Sequence, residues 1–374
     1  MDQPQPAIAP HLAEPDGDYQ TLHEFVAAAR KNLPANIWDY LIGATETETT
    51  MRRNRLALDT IALRPRVMRD VSNVDVSATF FGRQSRLPVM LAPVGSLESF
   101  HPEGAAEAGR AASAFGVPII VSSVTKPGLE ESAAACAGRK IFQLYVRGDD
   151  AWIDAIVRRA IDAGYEQFCI TVDTASYSRR ERDISRRFVK PWRATATGVE
   201  FQASFNWDNV KHFKETWKIP LMLKGIATAE DADLACRAGV DTVYVSNHGG
   251  RQLDHGRGAM DVLPEVVETV AGRASVVVDG GFCRGTDIVK AMALGADAVA
   301  IGRMYCYGLA TAGATGVRQL LELLEVETAI ALALLGETSL SAINRSHVHR
   351  GAPAVTAPHV HSAFPLLFPT PEAL

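Results

Sequence analysis

The chain has 374 residues, of which 47% are hydrophobic and 22% charged, with a formal net charge of -5. That composition supplies ample core for a globular fold, and it lacks the basic footprint of a nucleic-acid binder. No apolar stretch is long enough to span a bilayer, and five cysteines without a CxxC spacing argue for reduced thiols in a cytosol-like, cytoplasmic setting.

In chain order, the polar, Pro-rich stretch from Met1 to Asp18 reads as a loosely docked arm; residues 1–20 are set apart from a single domain over 21–374. It has no charged start followed by an apolar run, so no signal peptide is expected, and Pro371-Glu-Ala-Leu374 is not a peroxisomal address. Thr21 to Leu33 reads as an amphipathic helix, with Leu22, Phe25, Val26 and Ala29 on one face. Pro34 opens a second helix carrying Trp38, Tyr40 and Leu41, which Gly43 can cap. Glu46 to Leu56 reads as a third. Val74 to Phe80 suggests a small hairpin or barrel plug.

From Leu87 the pattern becomes regular. Short apolar runs alternate with helical segments: Pro88-Val-Met-Leu-Ala92, Pro118-Ile-Ile-Val-Ser122, Ile141-Phe-Gln-Leu-Tyr145, Gln167-Phe-Cys-Ile-Thr171, Pro220-Leu-Met-Leu-Lys224, Thr242 to Ser246, Ser275-Val-Val-Val-Asp279 and Ala298-Val-Ala-Ile-Gly302. Alternation of this kind gives parallel βαβ units, and eight of them predict a closed (β/α)₈ TIM barrel with an N-terminal helical extension. An open Rossmann-like sheet would want GxGxxG after its first strand, and none is present.

In such a barrel the carboxyl ends of the strands line the active site. Here they carry Ala92-Pro93-Val94-Gly95, Ser122, Gln143 with Tyr145, Thr171 with Asp173, Lys224, Ser246 with His248, Asp279-Gly280-Gly281 and Gly302-Arg303. In Ser246-Asn-His-Gly-Gly-Arg-Gln-Leu-Asp254, His248 and Arg251 set a titratable base beside a fixed cation. That pair suits proton abstraction from a substrate held by its carboxylate. Asp173 can orient His248, Arg180 can reach the same mouth, and Lys224 offers a cation where negative charge develops. The Gly-rich loops after strands seven and eight, with Arg284 and Arg303, predict a phosphate-bearing cofactor.

Together the segments SNHGGRQLD, LKGI, QLY, TVDT, RRERD, DGG with RGTD, and AIGR resemble the FMN-dependent 2-hydroxy acid oxidase and dehydrogenase family, over about Leu22 to His347. The resemblance implies FMN, an L-2-hydroxy acid as substrate, and O₂ or another electron acceptor. It implies that His248 is the base, that Arg251, Arg180 and Tyr40 hold the carboxylate, and that Tyr145 touches the substrate hydroxyl. Lys224 would stabilise the reduced ring. Ala92, Pro93, Val94, Gly95, Ser122, Gln143, Thr171 and Ser246 would contact the flavin, with its phosphate on Asp279, Gly280, Gly281, Cys283, Arg284, Gly302 and Arg303. A homotetramer or octamer is implied. No metal ligand set is expected.

The chain departs from the family pattern at four places. Cys283 stands where an Arg is usual, Val94 where a Thr is common, Gly95 where oxidases often carry Ala, and Val124 where glycolate oxidase has a bulky aromatic. The loop from Phe188 to Trp207 is short and lacks a long apolar insert. Gly95 and Val124 predict a roomy pocket for a medium-chain or aryl substrate, mandelate-like or lactate-like. A redox-neutral isomerisation on the same barrel and a non-catalytic flavin-barrel relic remain as alternatives.

Overall fold

The computed structural model describes residues 17–351 and 363–364. The arm expected over residues 1–20 therefore lies almost wholly outside the described residues. Three helices come first: α1 (Leu22–Asn32), α2 (Ala35–Ile42) and α3 (Thr49–Asp59). At the start of α1 the Glu24 carboxylate reaches back to accept from both the backbone N–H and the hydroxyl of Thr21, at 2.7 and 3.0 Å. α3 begins later than its sequence suggests, because Glu46 and Glu48 both take positive φ and hold the chain in a turn. Strands β1 (Ile61–Leu63), β2 (Ala78–Phe80) and β3 (Arg83–Ser85) follow. β2 and β3 pair as a hairpin.

Eight parallel strands then close a barrel: β4 (Val89–Leu91), β5 (Ile119–Ser122), β6 (Lys140–Leu144), β7 (Gln167–Thr171), β8 (Leu221–Ile226), β9 (Thr242–Val245), β10 (Ser275–Val278) and β11 (Ala298–Ile301). β11 pairs back onto β4, so the expected (β/α)₈ architecture is realised. Outer helices are α4 (Gly104–Phe115), α5 (Leu129–Ala135) and α6 (Asp150–Asp162); the short α7 (Glu181–Ser185), α8 (Pro191–Ala194) and α9 (Glu200–Ser204); then α10 (Trp207–Thr216), α11 (Ala229–Arg237), α12 (Ala259–Val270), α13 (Gly285–Ala293) and α14 (Arg303–Leu335). α14 breaks at Ala312 and Gly313, whose backbone angles leave the helical region. β12 (Val348–Arg350) returns to pair with β1.

The barrel interior is apolar through Met90, Ile120, Ile141, Cys169, Met222, Tyr244, Val277 and Ala300. Phe80 of the hairpin belongs to the same cluster and closes the amino-terminal end, which realises the plug suggested by the alternation at Val74 to Phe80. The plug leaves only the carboxyl end of the barrel open for chemistry. Among the described residues no helix is long and apolar enough to cross a membrane.

Candidate active site

The layer beneath the mouth is a relay of polar side chains on adjacent strands. Ser122 donates to Gln143 Oε1 at 2.7 Å, and Gln143 Nε2 donates to Thr171 Oγ1 at 2.9 Å. Lys224 Nζ donates to Ser246 Oγ at 2.9 Å and lies 3.6 Å from Asp279. Tyr244 donates to the same Asp279 at 3.0 Å. All of these residues are buried. Burial alone would lower the Lys224 pKa, but Asp279 and Asp173 outweigh it and hold the ammonium protonated.

Above that layer sits His248, in a short 3₁₀ turn over His248–Gly250 that directly follows β9. Its φ of 59° lies in the left-handed region, which a non-glycine residue occupies at a cost of about 1–3 kcal/mol. The strained turn aims the imidazole across the barrel mouth. Nδ1 meets Asp173 Oδ1 at 2.9 Å, and Nε2 meets the Tyr145 hydroxyl at 3.2 Å. Asp173 fixes the tautomer that donates from Nδ1 and leaves Nε2 as the acceptor. Burial pushes the His248 pKa down, with Lys224 and Arg180 adding to it and Asp173 opposing. The ring is therefore neutral, and competent as a base, at neutral pH. Burial would raise Asp173, yet His248 and Lys224 hold it below the usual carboxylate range.

Gly225 explains how Asp173 comes so close. β8 slips register between Lys224 and Ile226, and Gly225 there has φ 117°. A Cβ at that position would fall 2.7 Å from Asp173 Cβ, so only glycine allows the approach.

Two guanidinium groups face the base. Arg251 donates to the carbonyls of Tyr40 and Gly43 at 2.8 and 2.6 Å, and lies 5.0 Å above the Tyr40 ring. Arg180 donates to the Arg251 carbonyl at 3.2 Å. Neither is in an ion pair among the described residues. Burial and its neighbour Arg180 push the Arg251 pKa down to about 10. Two cations side by side, Arg180 buried and Arg251 half-buried, with no carboxylate paired to either among the described residues, call for an anion between them. Tyr40, carried by α2, has its hydroxyl donating to the Gly95 carbonyl at 2.9 Å.

The cavity over this floor has a volume of about 620 Å³, within the usual range for cofactor sites. It is lined by Tyr40, Ala92, Pro93, Val94, Gly95, Tyr145, Arg180, Lys224, His248, Arg251, Asp279, Gly280, Gly281, Cys283, Gly302 and Arg303, so one cavity gathers these sequence-predicted residues. Ser122, Gln143, Thr171, Asp173 and Ser246 do not line it and form the supporting layer.

Arg284 is a correction. It caps α13, and its guanidinium turns outward to Glu327 and to the Ala363 carbonyl, away from the cavity. Arg303 lines the cavity but also ties the carbonyls of Leu41, Gly43 and Gly249. The Cys283 thiol, pushed up to about 12 by burial, is neutral.

An FMN fits the residues present. Asp279 Oδ1 is buried without a hydrogen-bond partner among the described residues, at the foot of a cradle formed by Gly280 and Gly281. Both glycines have positive φ, at 105° and 86°, and a Cβ on either would meet Asn54 of α3 at 3.0–3.2 Å. The loop thus offers bare backbone with Arg303 beside it, which suits a phosphate. Lys224 at the centre suits a ring that gains negative charge.

Several lining residues had not been singled out from sequence. Lys190, Trp192, Arg193 and Glu200 come from the segment between Phe188 and Trp207, which crosses the mouth. Arg147 and Phe100 also line the cavity. Gln202 of α9 anchors the cover: its amide accepts from Val146 N at 2.7 Å and donates to the Thr171 carbonyl at 3.0 Å. Lys190 forms a buried ion pair with Asp183. The sequence signal was faint, because short helices among Gly, Thr and Pro read as a plain loop.

The sequence profile of the FMN-dependent dehydrogenase family matches residues 29–350. Glycolate oxidase 1 of Oryza sativa subsp. indica is 38% identical over 364 residues, covering 91% of this chain and 99% of the rice protein. Glycolate oxidase of Spinacia oleracea is 38% identical over 349 residues, covering 87% and 95%. Among solved structures, mandelate oxidase with (S)-2-phenylpropionate superposes with a TM-score of 0.83 at 41% identity, covering 90% of this chain and all of that one. A barrel with this floor of His, Asp, Lys and paired Arg, matched along almost its whole length, belongs to the FMN-dependent dehydrogenase family.

Proposed function

We propose that the chain oxidises an L-2-hydroxy acid to the 2-oxo acid, with O₂ or another acceptor taking the electrons onward. One observation carries this reading: a neutral His248, oriented by Asp173, faces the guanidiniums of Arg180 and Arg251, neither of which has a carboxylate partner among the described residues. The substrate carboxylate binds Arg251 and Arg180 in a charge-assisted fork, with Tyr40 alongside. That anchoring brings the hydroxyl to Tyr145 and to His248 Nε2, which lie 3.2 Å apart. His248 takes the hydroxyl proton, and Asp173 stabilises the imidazolium that results. Tyr145 stays a phenol, since burial and Asp173 push its pKa far up, and it donates to the developing alkoxide. FMN supplies the acceptor for the hydrogen and electron pair leaving the α-carbon.

A medium-chain or aryl substituent is the best fit for the side of the cavity away from the arginines. Gly95 and Val124 do not open it independently, however: a Cβ on Gly95 would sit 2.8 Å from Val124 Cγ2, so the valine already fills that corner. The protein named mandelate oxidase, whose structures superpose on this chain, carries an aryl acid's name and supports the size class. A homotetramer or octamer in the cytoplasm remains part of the proposal.

The test is anaerobic mixing of the holoenzyme with a panel of L-2-hydroxy acids, following flavin absorbance and 2-oxo acid. Stoichiometric bleaching with at least one of them is expected. Failure of every member to bleach the flavin refutes the assignment.

A further inference from the structure

A buried carboxylate sits one helical turn from the clamp and yet is not paired with it. Arg180 is the N-cap of α7, and Asp183 follows in the same short helix. Residues three apart on one turn can bring their side chains together. A buried carboxylate needs a cation, and Arg180 and Arg251 have no carboxylate partner among the described residues. Asp183 is held instead by Lys190, from the segment that crosses the mouth. The other carboxylates of the cavity are engaged or exposed. Asp173 is committed to His248, Asp279 to Lys224 and Tyr244, and Glu200 is exposed.

Lys190 is buried and lines the cavity. Its Nζ lies 5.0 Å from the Tyr40 ring centre and 5.3 Å from that of Tyr177. Each of these rings also carries one guanidinium of the clamp. Arg251 lies 5.0 Å from the Tyr40 ring, and Arg180 lies 4.8 Å from the Tyr177 ring. Arg180 donates to the Arg251 carbonyl, so the contacts run in a closed circuit through one lysine, two tyrosines and two arginines. Asp183 acts on that circuit electrically as well. Burial and Arg180 lower the Arg251 pKa, and Asp183 opposes them along with Tyr40.

We propose that Lys190 is a positioning residue that keeps the clamp open for substrate: by engaging Asp183 it stops that carboxylate from occupying Arg180 and Arg251, and it seats the Tyr40 and Tyr177 rings beside them. Without the ammonium, Asp183 becomes an internal competitor for the anion site. This role rests on the reading of the two arginines as the substrate clamp, and it makes the segment across the mouth part of the clamp's support.

The experiment titrates the holoenzyme with 2-hydroxy-2-methylpropanoate, a 2-hydroxy acid with no α-hydrogen to lose, and follows the oxidised flavin spectrum. Lys190→Met should raise the Kd by about tenfold or more, the scale of a hydrogen bond to a charged group, with FMN affinity unchanged. Asp183→Asn should leave the Kd at or below the wild-type value, because the competitor is gone and the ammonium remains. The double variant, Lys190→Met with Asp183→Asn, should return to within about threefold of wild type.

A merely structural tie gives a different pattern: both single variants weaken binding, and the double variant is no better. A direct contact between Lys190 and substrate leaves the double variant as weak as Lys190→Met. Either pattern, or a wild-type Kd in Lys190→Met, overturns the proposal. Should Lys190→Met not fold, the other two variants decide, and a Kd raised about tenfold in either one overturns it. A wild-type holoenzyme that does not bind the probe has no open clamp, and the proposal falls. Bleaching by hydroxy acids without the expected pattern defeats this inference only, whereas no bleaching by any acid defeats the proposed oxidation itself.

Discussion

At the scale of single residues, the base and the clamp lead to separable expectations. The proton-accepting form of His248 is the neutral one, populated above its pKa, and burial holds that pKa below 6.5. kcat/KM should therefore rise through an acid limb below pH 6.5 and be level by neutral pH. Asp173 raises the His248 pKa, so Asp173→Asn should move the limb to lower pH. Loss of the fixed tautomer should also lower the plateau by about 10²–10⁴-fold. A profile in Asp173→Asn that keeps the wild-type limb and plateau would falsify the pairing. Arg251→Lys keeps a charge but loses the planar fork that reaches the Tyr40 and Gly43 carbonyls. The substrate carboxylate that we propose it holds would also orient the α-hydrogen, so the Kd for substrate and the flavin reduction rate should both worsen, each by about tenfold or more. Wild-type values for both, read by stopped-flow, would remove Arg251 from the clamp.

At the scale of elements, two pieces outside the barrel hold the site. α3 braces the phosphate loop from behind: Arg55 donates to the Gly281 carbonyl at 3.0 Å and to both oxygens of Asp287 at 2.7 and 2.8 Å. Both side chains are almost fully buried. Arg55→Met leaves the Asp287 carboxylate buried and unpaired, which should cost about 3–5 kcal/mol, and urea denaturation measures it. A loss under about 1 kcal/mol would show that the pair is not a structural tie. The second piece is the cover, pinned by Gln202 to the ends of β6 and β7. Gln202→Ala strands the Val146 N–H and the Thr171 carbonyl, so the cover should open more often. Limited proteolysis should then cut between residues 188 and 205 several-fold faster than in wild type; equal rates would locate the anchor elsewhere.

At the scale of the whole molecule, the cavity is a large polar hollow at the end of a tightly filled barrel. Its floor keeps Asp279 Oδ1 and Asp173 Oδ2 buried without partners among the described residues. A ligand that binds only the folded state adds RT ln(1 + [L]/Kd) to stability, about 2.7 kcal/mol when free FMN is a hundredfold over Kd. FMN-stripped protein should therefore melt at a lower temperature, and Tm should climb with added FMN. An FMN-independent Tm would mean that the cradle is not the binding site.

The barrel and the residues gathered on its cavity floor were legible from the chain alone, for a physical reason. Parallel strands buried on both faces are short apolar runs, and the residue at each run's end must lie at the mouth or just beneath it. Counting to Lys224, Asp279 and His248 was thus enough to place them together. Patterns that repeat along the chain are local, and local signals survive without a structure. What tertiary structure decided was non-local. Arg284 reads as a phosphate ligand by its place after a Gly-rich turn, but Glu327, 43 residues onward, draws it outward. Gly95 and Val124 read as two independent enlargements, yet they touch, and a glycine beside a valine leaves a filled corner. Trp192 and Arg147 belong to different loops, with nothing in their own neighbourhoods to mark them. Only the folding of the 188–205 segment over the mouth stacks the two and turns a loop of small polar residues into the wall of the substrate site.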